Sequence, residues 1–179
     1  MNAIYLDNNA TTRIDPAVLE TMMPYLTDFY GNPSSMHSFG GNVAGAIAKA
    51  RGQVASLIGA SPEEILFTSC GTESDNAAIR SALAVNPDKR HIVTSRVEHP
   101  AIRGLCSLLA RNGYRVTELP VDRDGLLDMD TYRKSLTGDT ALVSLMWANN
   151  ETGVIFPVAE AAEMARSRNI LFHTDAVQA

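Results

Sequence analysis

The sequence predicts an α/β fold: a mostly parallel sheet in three layers, with helices covering both faces. Three observations predict it. From Ile65 onward, short β-branched apolar runs alternate with amphipathic segments. Those runs are nearly continuous rather than alternating, as suits strands buried on both sides. Four of them break at their carboxyl ends into polar turns, which is where open α/β sheets place their ligands.

The elements follow in order. Asp15-Pro16 reads as a helix start, with a capping carboxylate and proline at the first helical position. "GNPSSMHSFG" (31–40) is a turn-rich loop, and a long helix is predicted from about Asn42 to Ile58, stopped by Gly59. The strand candidates are 65–69, 91–95, 115–119, 141–147 and 170–174. Helices are predicted over Glu73–Leu83, Ala101–Asn112, Met129–Leu136 and Ala159–Arg168. No repeat, low-complexity tract or Gly/Ser-rich linker divides the chain. Residues 1–60 read as a helical and loop segment and 61–179 as the sheet domain. The last strand runs into the end of the sequence, so the sheet is expected to be incomplete there.

Composition narrows the function. Of 179 residues, 45% are hydrophobic and 20% charged, and the formal net charge is −5. The basic residues are scattered, so nothing resembles a nucleic-acid footprint. The opening "MNAIYLDNNATT" lacks the basic and apolar regions of a secretory signal, and runs such as "ALVSLMWA" are too short to span a bilayer. Cys70 and Cys106 are far apart and form no C-x-x-C pair. A cytoplasmic protein without membrane or nucleic-acid partners is the expectation.

The polar tips carry the chemistry. In "SCGTES" (69–74), Gly71 permits a tight turn, and the amides of Gly71, Thr72 and Glu73 open a helix as an anion site for a phosphate. The same stretch serves equally as a plain cap by Ser69 or Thr72, with Glu73 and Asp75 favouring the helix dipole. Neither a Walker A nor a G-x-G-x-x-G pattern is present. Cys70 reads as a small buried residue at a strand end rather than a nucleophile, and Cys106 as core beside Leu105, Leu108 and Leu109. His99 follows a strand and precedes Pro100, so it suits either structure or catalysis. His37, His91, His99 and His173 lack metal-ligand spacing, and no metal site is expected. "WANNETG" (147–153) is either a turn built on left-handed Asn and Gly or a pair of amides for a planar ligand. Asp175 closes an apolar run, where a poorly solvated carboxylate needs a partner. A protonated ring nitrogen or an arginine would serve, with Gln178 offering an amide to the same ligand; otherwise Asp175 is a cap.

Six ordered stretches together carry a resemblance: "YLDNNATT" (5–12), "GNPSSMHSFG" (31–40), "ILFTSCGTESDN" (65–76), "VEHPA" (97–101), "WANNETG" (147–153) and "HTDAVQA" (173–179). Over essentially its whole length the chain resembles the cysteine desulfurases, pyridoxal-phosphate enzymes of the class V aminotransferase type. "TSCGTESD" is most similar to their nitrogen-fixation branch. The resemblance implies the large domain of PLP fold type I, with residues 1–60 belonging partly to a small domain. It implies that Gly71 and Thr72 bind the cofactor phosphate, and that His99 stacks on the ring and moves protons. Asn150 and Gln178 would contact the ring, and Asp175 would pair with its nitrogen. It further implies L-cysteine as substrate, an iron–sulfur scaffold protein as sulfur acceptor, and a homodimer. Family members carry the cofactor-bearing lysine and the sulfur-accepting cysteine further along, and Lys49, Lys89, Lys134, Cys70 and Cys106 match neither. The sequence is therefore read as an N-terminal fragment, inactive alone. A selenocysteine lyase or another class V enzyme is the rival within the fold, and a non-catalytic binder of a phosphorylated ligand or partner is the rival outside it.

Overall fold

A computed structural model describes residues 4–179. The chain forms two compact units, Met1–Phe67 and Thr68–Ala179.

In the first unit, α1 (Pro16–Thr27) starts where the sequence predicts. The Asp15 carboxylate accepts from the Ala17 amide at 2.8 Å, and Pro16 occupies the first turn. Helix α2 (Ser38–Ile58) begins four residues before the predicted Asn42. His37 supplies the reason, because its Nδ1 accepts from the Gly40 amide and caps the extra turn. Gly59 ends α2 with φ 69°, the left-handed conformation that glycine adopts without strain. A 3-10 turn over Pro62–Glu64 follows, closed by a reciprocal cap between Ser61 and Glu64.

The predicted strand at 65–69 does not form. A strand exists only through pairing, and Ile65–Ser69 have no ladder partner among the described residues. Leu66 is accordingly 75% exposed despite its apolar neighbours.

The second unit holds the sheet. Its elements are α3 (Gly71–Ala84), β1 (His91–Ser95), α4 (Pro100–Arg111), β2 (Arg115–Leu119), α5 (Met129–Ser135), β3 (Thr140–Ser144), α6 (Val158–Arg166) and β4 (Leu171–His173). The strands are all parallel, in the order β2-β1-β3-β4. The predicted strands 141–147 and 170–174 are regular only to Ser144 and His173. Their pairing carries on regardless, through Leu145 N–H to the His173 carbonyl (3.1 Å) and Trp147 N–H to the Asp175 carbonyl (2.9 Å).

Crossover handedness explains why both faces are covered. The step from β1 to β2 runs one way along the sheet, and the steps from β2 to β3 and β3 to β4 run the other way. If all crossovers are right-handed, α4 must lie on the face opposite α5 and α6. The core divides in this way. Ile92 and Leu142 pack with Ile79 and Leu83 of α3 and Ile102, Leu105, Cys106 and Leu109 of α4. Their strand neighbours Val93 and Val143 point to the other side, against Tyr132 of α5 and Ala161 and Ala165 of α6. Leu108, read from the sequence as core, turns partly to solvent.

Candidate active site at the carboxyl ends of the strands

Parallel strands aim their carboxyl ends in one direction, so the segments after β1, β3 and β4 meet at one edge of the sheet, beside the amino ends of α3 and α4. Hydrogen bonds tie them together. The Asn76 amide donates to the Thr72 carbonyl at 2.9 Å and the Ala101 carbonyl at 3.5 Å, joining the first turns of α3 and α4. Asn149 does the same for β1 and β3, donating to the Val97 carbonyl at 3.3 Å. Its Oδ1 accepts from the amides of Glu151 and Thr152, and Gly153 (φ 74°) closes the turn. Asn149 is therefore the buried builder of this turn, and Asn150 the half-exposed amide carried on it. Only Gly153, not the asparagines, takes the left-handed conformation expected of the "WANNETG" stretch.

Gly71 lies against the β4 tip. A β-carbon placed on it would sit 3.1 Å from Val177 Cγ2. The first-turn amides of α3, which have no intrahelical acceptor, open beside that glycine together with the exposed Thr72 side chain. Cys70 is the N-cap residue and makes no side-chain capping bond to the helix. It is exposed, contrary to the buried residue expected, and the segment leading into it, 65–69, joins no strand of the sheet that could carry it inward. The Glu73 amide and then the Ser69 hydroxyl draw its thiol pKa below the usual range.

His99 caps α4, its Nδ1 accepting from the Ala101 amide at 3.2 Å. With Nδ1 accepting, Nε2 is the ring nitrogen left to carry a proton. His99 and Asn150 line one groove of about 580 Å³ with Glu98, Asn149 and Arg103.

The acids at this edge are the distinctive feature. Asp175 is only half-buried and uses Oδ1 to accept from the Val177 amide at 3.0 Å, which satisfies the capping alternative. The buried acid is instead Asp75, 4% exposed on the first turns of α3. Burial and then the charge of Asp175 push it up to about 6, while His99 works the other way. Glu98 is 3% exposed. Its Oε1 accepts from the Ser95 hydroxyl at 2.6 Å and the Met146 amide at 3.1 Å, and its Oε2 is buried without a hydrogen-bond partner. Burial pushes Glu98 up to about 7, the Ser95 and Met146 bonds opposing. Among the described residues no lysine or arginine ion-pairs with Asp75, Glu98 or Asp175.

The edge thus presents two opposite demands. The α3 turn suits an anion, and the acids suit a cation. A flat ligand with a phosphate at one end and a protonated ring nitrogen at the other answers both, so the residues present fit pyridoxal phosphate. Of the residues named from the sequence, the structure gathers Gly71 with the Asp175–Val177 tip, and His99 with Asn150. Gln178 lies on the exposed turn after Asp175. Asp75 was missed, although a signal existed: it shares the apolar stripe Asp75, Ile79, Ala82, Leu83 of α3.

Residues 4–179 match the aminotransferase class-V family, and the chain belongs to it. Enzymes of this family depend on pyridoxal phosphate. A cysteine desulfurase of Nostoc sp. is 59% identical over the whole chain, and the cysteine desulfurase NifS of Azotobacter vinelandii is 55% identical. In each case the chain spans 45% of the relative's length. A NifS-like protein of known structure superposes with a TM-score of 0.94 at 41% identity, covering 98% of this chain and 49% of that one.

Proposed function

We propose that this chain carries the cofactor-holding edge of a cysteine desulfurase, which takes sulfur from L-cysteine and leaves L-alanine. One observation carries the reading: a phosphate-type helix turn and a set of acids that no lysine or arginine ion-pairs share one strand edge. The identity to named cysteine desulfurases supports the reaction class.

In this reading the amides and hydroxyl of Gly71 and Thr72 hold the phosphate. Asp175 keeps the ring nitrogen protonated, and Asn150 and Gln178 orient the ring through amide contacts. His99 covers a ring face and handles protons through Nε2, the nitrogen left over from its capping bond. Bound there, pyridoxal phosphate supplies an electron sink for the carbanion at the substrate Cα. The sulfur passes to a cysteine thiolate and then to an iron–sulfur scaffold protein, with the catalytic unit a homodimer in the cytoplasm. The NifS name of the Azotobacter relative supports a nitrogen-fixation role.

No lysine stands at the strand tips of the second unit. Lys89 precedes β1 and donates to the Asn169 carbonyl at 3.2 Å, and Lys134 ends α5; both lie toward the starts of the strands. The reading therefore expects binding without turnover from these 179 residues. Titration with pyridoxamine 5′-phosphate, which needs no lysine linkage, tests it by absorbance and fluorescence. Saturable binding that inorganic phosphate competes away is the expected result. Absence of binding at millimolar ligand would refute the reading, as would catalytic accumulation of alanine refute the expected lack of turnover.

A further inference from the structure

His173 ends β4 on the face of the sheet that α3 covers. Its Nδ1 lies 2.9 Å from the hydroxyl of Ser144, its register partner on β3. Its Nε2 lies 3.6 Å from Asp75 Oδ1. That separation is an electrostatic contact rather than a hydrogen bond. Burial lowers the imidazole pKa, with Asp175 opposing, so the ring is neutral at pH 7. The Ser144 hydroxyl has a ring nitrogen to donate to, and the carboxylate favours an N–H. Both preferences select one tautomer, with Nδ1 accepting and Nε2–H facing Asp75. The other titratable groups facing this pair are Asp175 from the β4 tip, His99 from the start of α4, and Glu98 from the β1 tip.

We propose that Ser144, His173 and Asp75 form a positioning chain behind Asp175, which fixes a second negative charge beneath the site and so tightens its hold on a cationic ring nitrogen. The inference rests on the cofactor reading above and assigns to it residues outside the cradle named there. The chemistry is electrostatic. An isolated buried Asp75 would be driven toward its neutral form. The Nε2–H dipole of His173 opposes that, and His173 cannot turn away while Ser144 holds its other nitrogen. Asp75 in turn raises the preference of this edge for a positive group over a neutral one. The inorganic-anion end of the site, at the α3 turn, gains nothing from the chain.

The test compares wild type with Asp75→Asn, which keeps shape and removes charge. In the unliganded chain, nitrogen NMR of His173 should report the neutral Nε2–H tautomer at pH 7, and Asp75→Asn should lower the His173 pKa. Pyridoxamine 5′-phosphate should bind Asp75→Asn roughly ten-fold more weakly, while inorganic phosphate binds it within about two-fold of wild type. An unchanged His173 titration overturns the inference, as does equal weakening toward both ligands, which marks a merely structural role. If wild type binds the ring and Asp75→Asn binds it equally well, the inference fails and the cofactor reading stands. If wild type does not bind the ring, both fail. Should Asp75→Asn not fold, Ser144→Ala decides the matter: it should release Nδ1 and mix the His173 tautomers, and an unmixed tautomer counts against the chain.

Discussion

The two ends of the same sheet treat buried polar groups in opposite ways. At the strand starts, His91 is 0% exposed and fully partnered, with Nδ1 2.8 Å from the Thr140 hydroxyl on β3 and Nε2 2.8 Å from the Thr117 hydroxyl on β2. At the strand ends, Glu98 is equally buried but keeps an unpartnered oxygen, and Asp75 sits near Asp175 with a histidine, His173, but no lysine or arginine beside it. A satisfied network locks strands together, and an unsatisfied one stores a demand for a ligand. The contrast separates structural from functional polarity without reference to any relative.

Breaking the satisfied end should cost the most. His91→Ala removes a buried ring and strands two threonine hydroxyls, so a loss of ~3–4 kcal/mol is expected in urea unfolding. A loss below about 1 kcal/mol would mean that the network contributes little beyond packing.

The next effect has the opposite sign. Glu98 titrates near 7 in the folded chain against an ordinary 4.5, so the folded state binds more protons in that window. Its contribution is present below pH 4.5 and is lost as pH rises through about 7. Glu98→Gln retains an acceptor for Ser95 and Met146 and cannot ionise. It should match wild type near pH 5 and exceed it by ~2–3 kcal/mol at pH 8. His91 runs the other way. Burial, and secondarily the Arg115 charge, depress it to about 4. Its contribution is present above pH 6.5 and is lost as pH falls toward 4, in wild type and Glu98→Gln alike. Unfolding curves across pH 4–9 would separate the two, and a Glu98→Gln variant no more stable at pH 8 would dissolve the contrast between the ends.

A smaller effect sharpens the functional end. Gly71→Val places branched carbons where a β-carbon already meets Val177 at 3.1 Å. Phosphate or pyridoxamine 5′-phosphate affinity should fall at least ~10-fold, about 1.4 kcal/mol. Global stability should change less than for His91→Ala. An unchanged affinity would place the anion elsewhere.

Most of this architecture was legible before any coordinates. The strands at 91–95 and 115–119 and the caps at Asp15 and Gly59 follow from local pattern and turn chemistry. The segment 65–69 did not, because pairing depends on what lies alongside and not on the apolar run itself. The candidate site was legible as a set of strand tips, since topology alone brings them to one edge. The division of labour within it was hidden. Nothing local distinguishes Asn149, which builds the turn, from Asn150, which it presents. The Glu98 environment depends on a Met146 amide 48 residues away. Asp75 is the instructive miss: its place on an apolar helical stripe pointed inward, and its acidic character at a helix start invited the simpler dipole reading.

Cysteine completes the comparison with the smallest expected effect. Cys106 lies in the core beneath the helices, and burial pushes its thiol up to about 11. Cys70 is exposed at the functional end, with its pKa drawn down. A thiol reagent should therefore label Cys70 rapidly in the native chain and reach Cys106 only on unfolding. Yet in the proposed reading its thiol takes no part in holding the anion, which falls there to the backbone amides and the Thr72 hydroxyl. Cys70→Ser, a small change that supplies a better cap, should thus leave phosphate affinity within roughly two-fold of wild type. A drop as large as that of Gly71→Val would move the thiol into the cradle and show that reactivity and binding at this turn are one property rather than two.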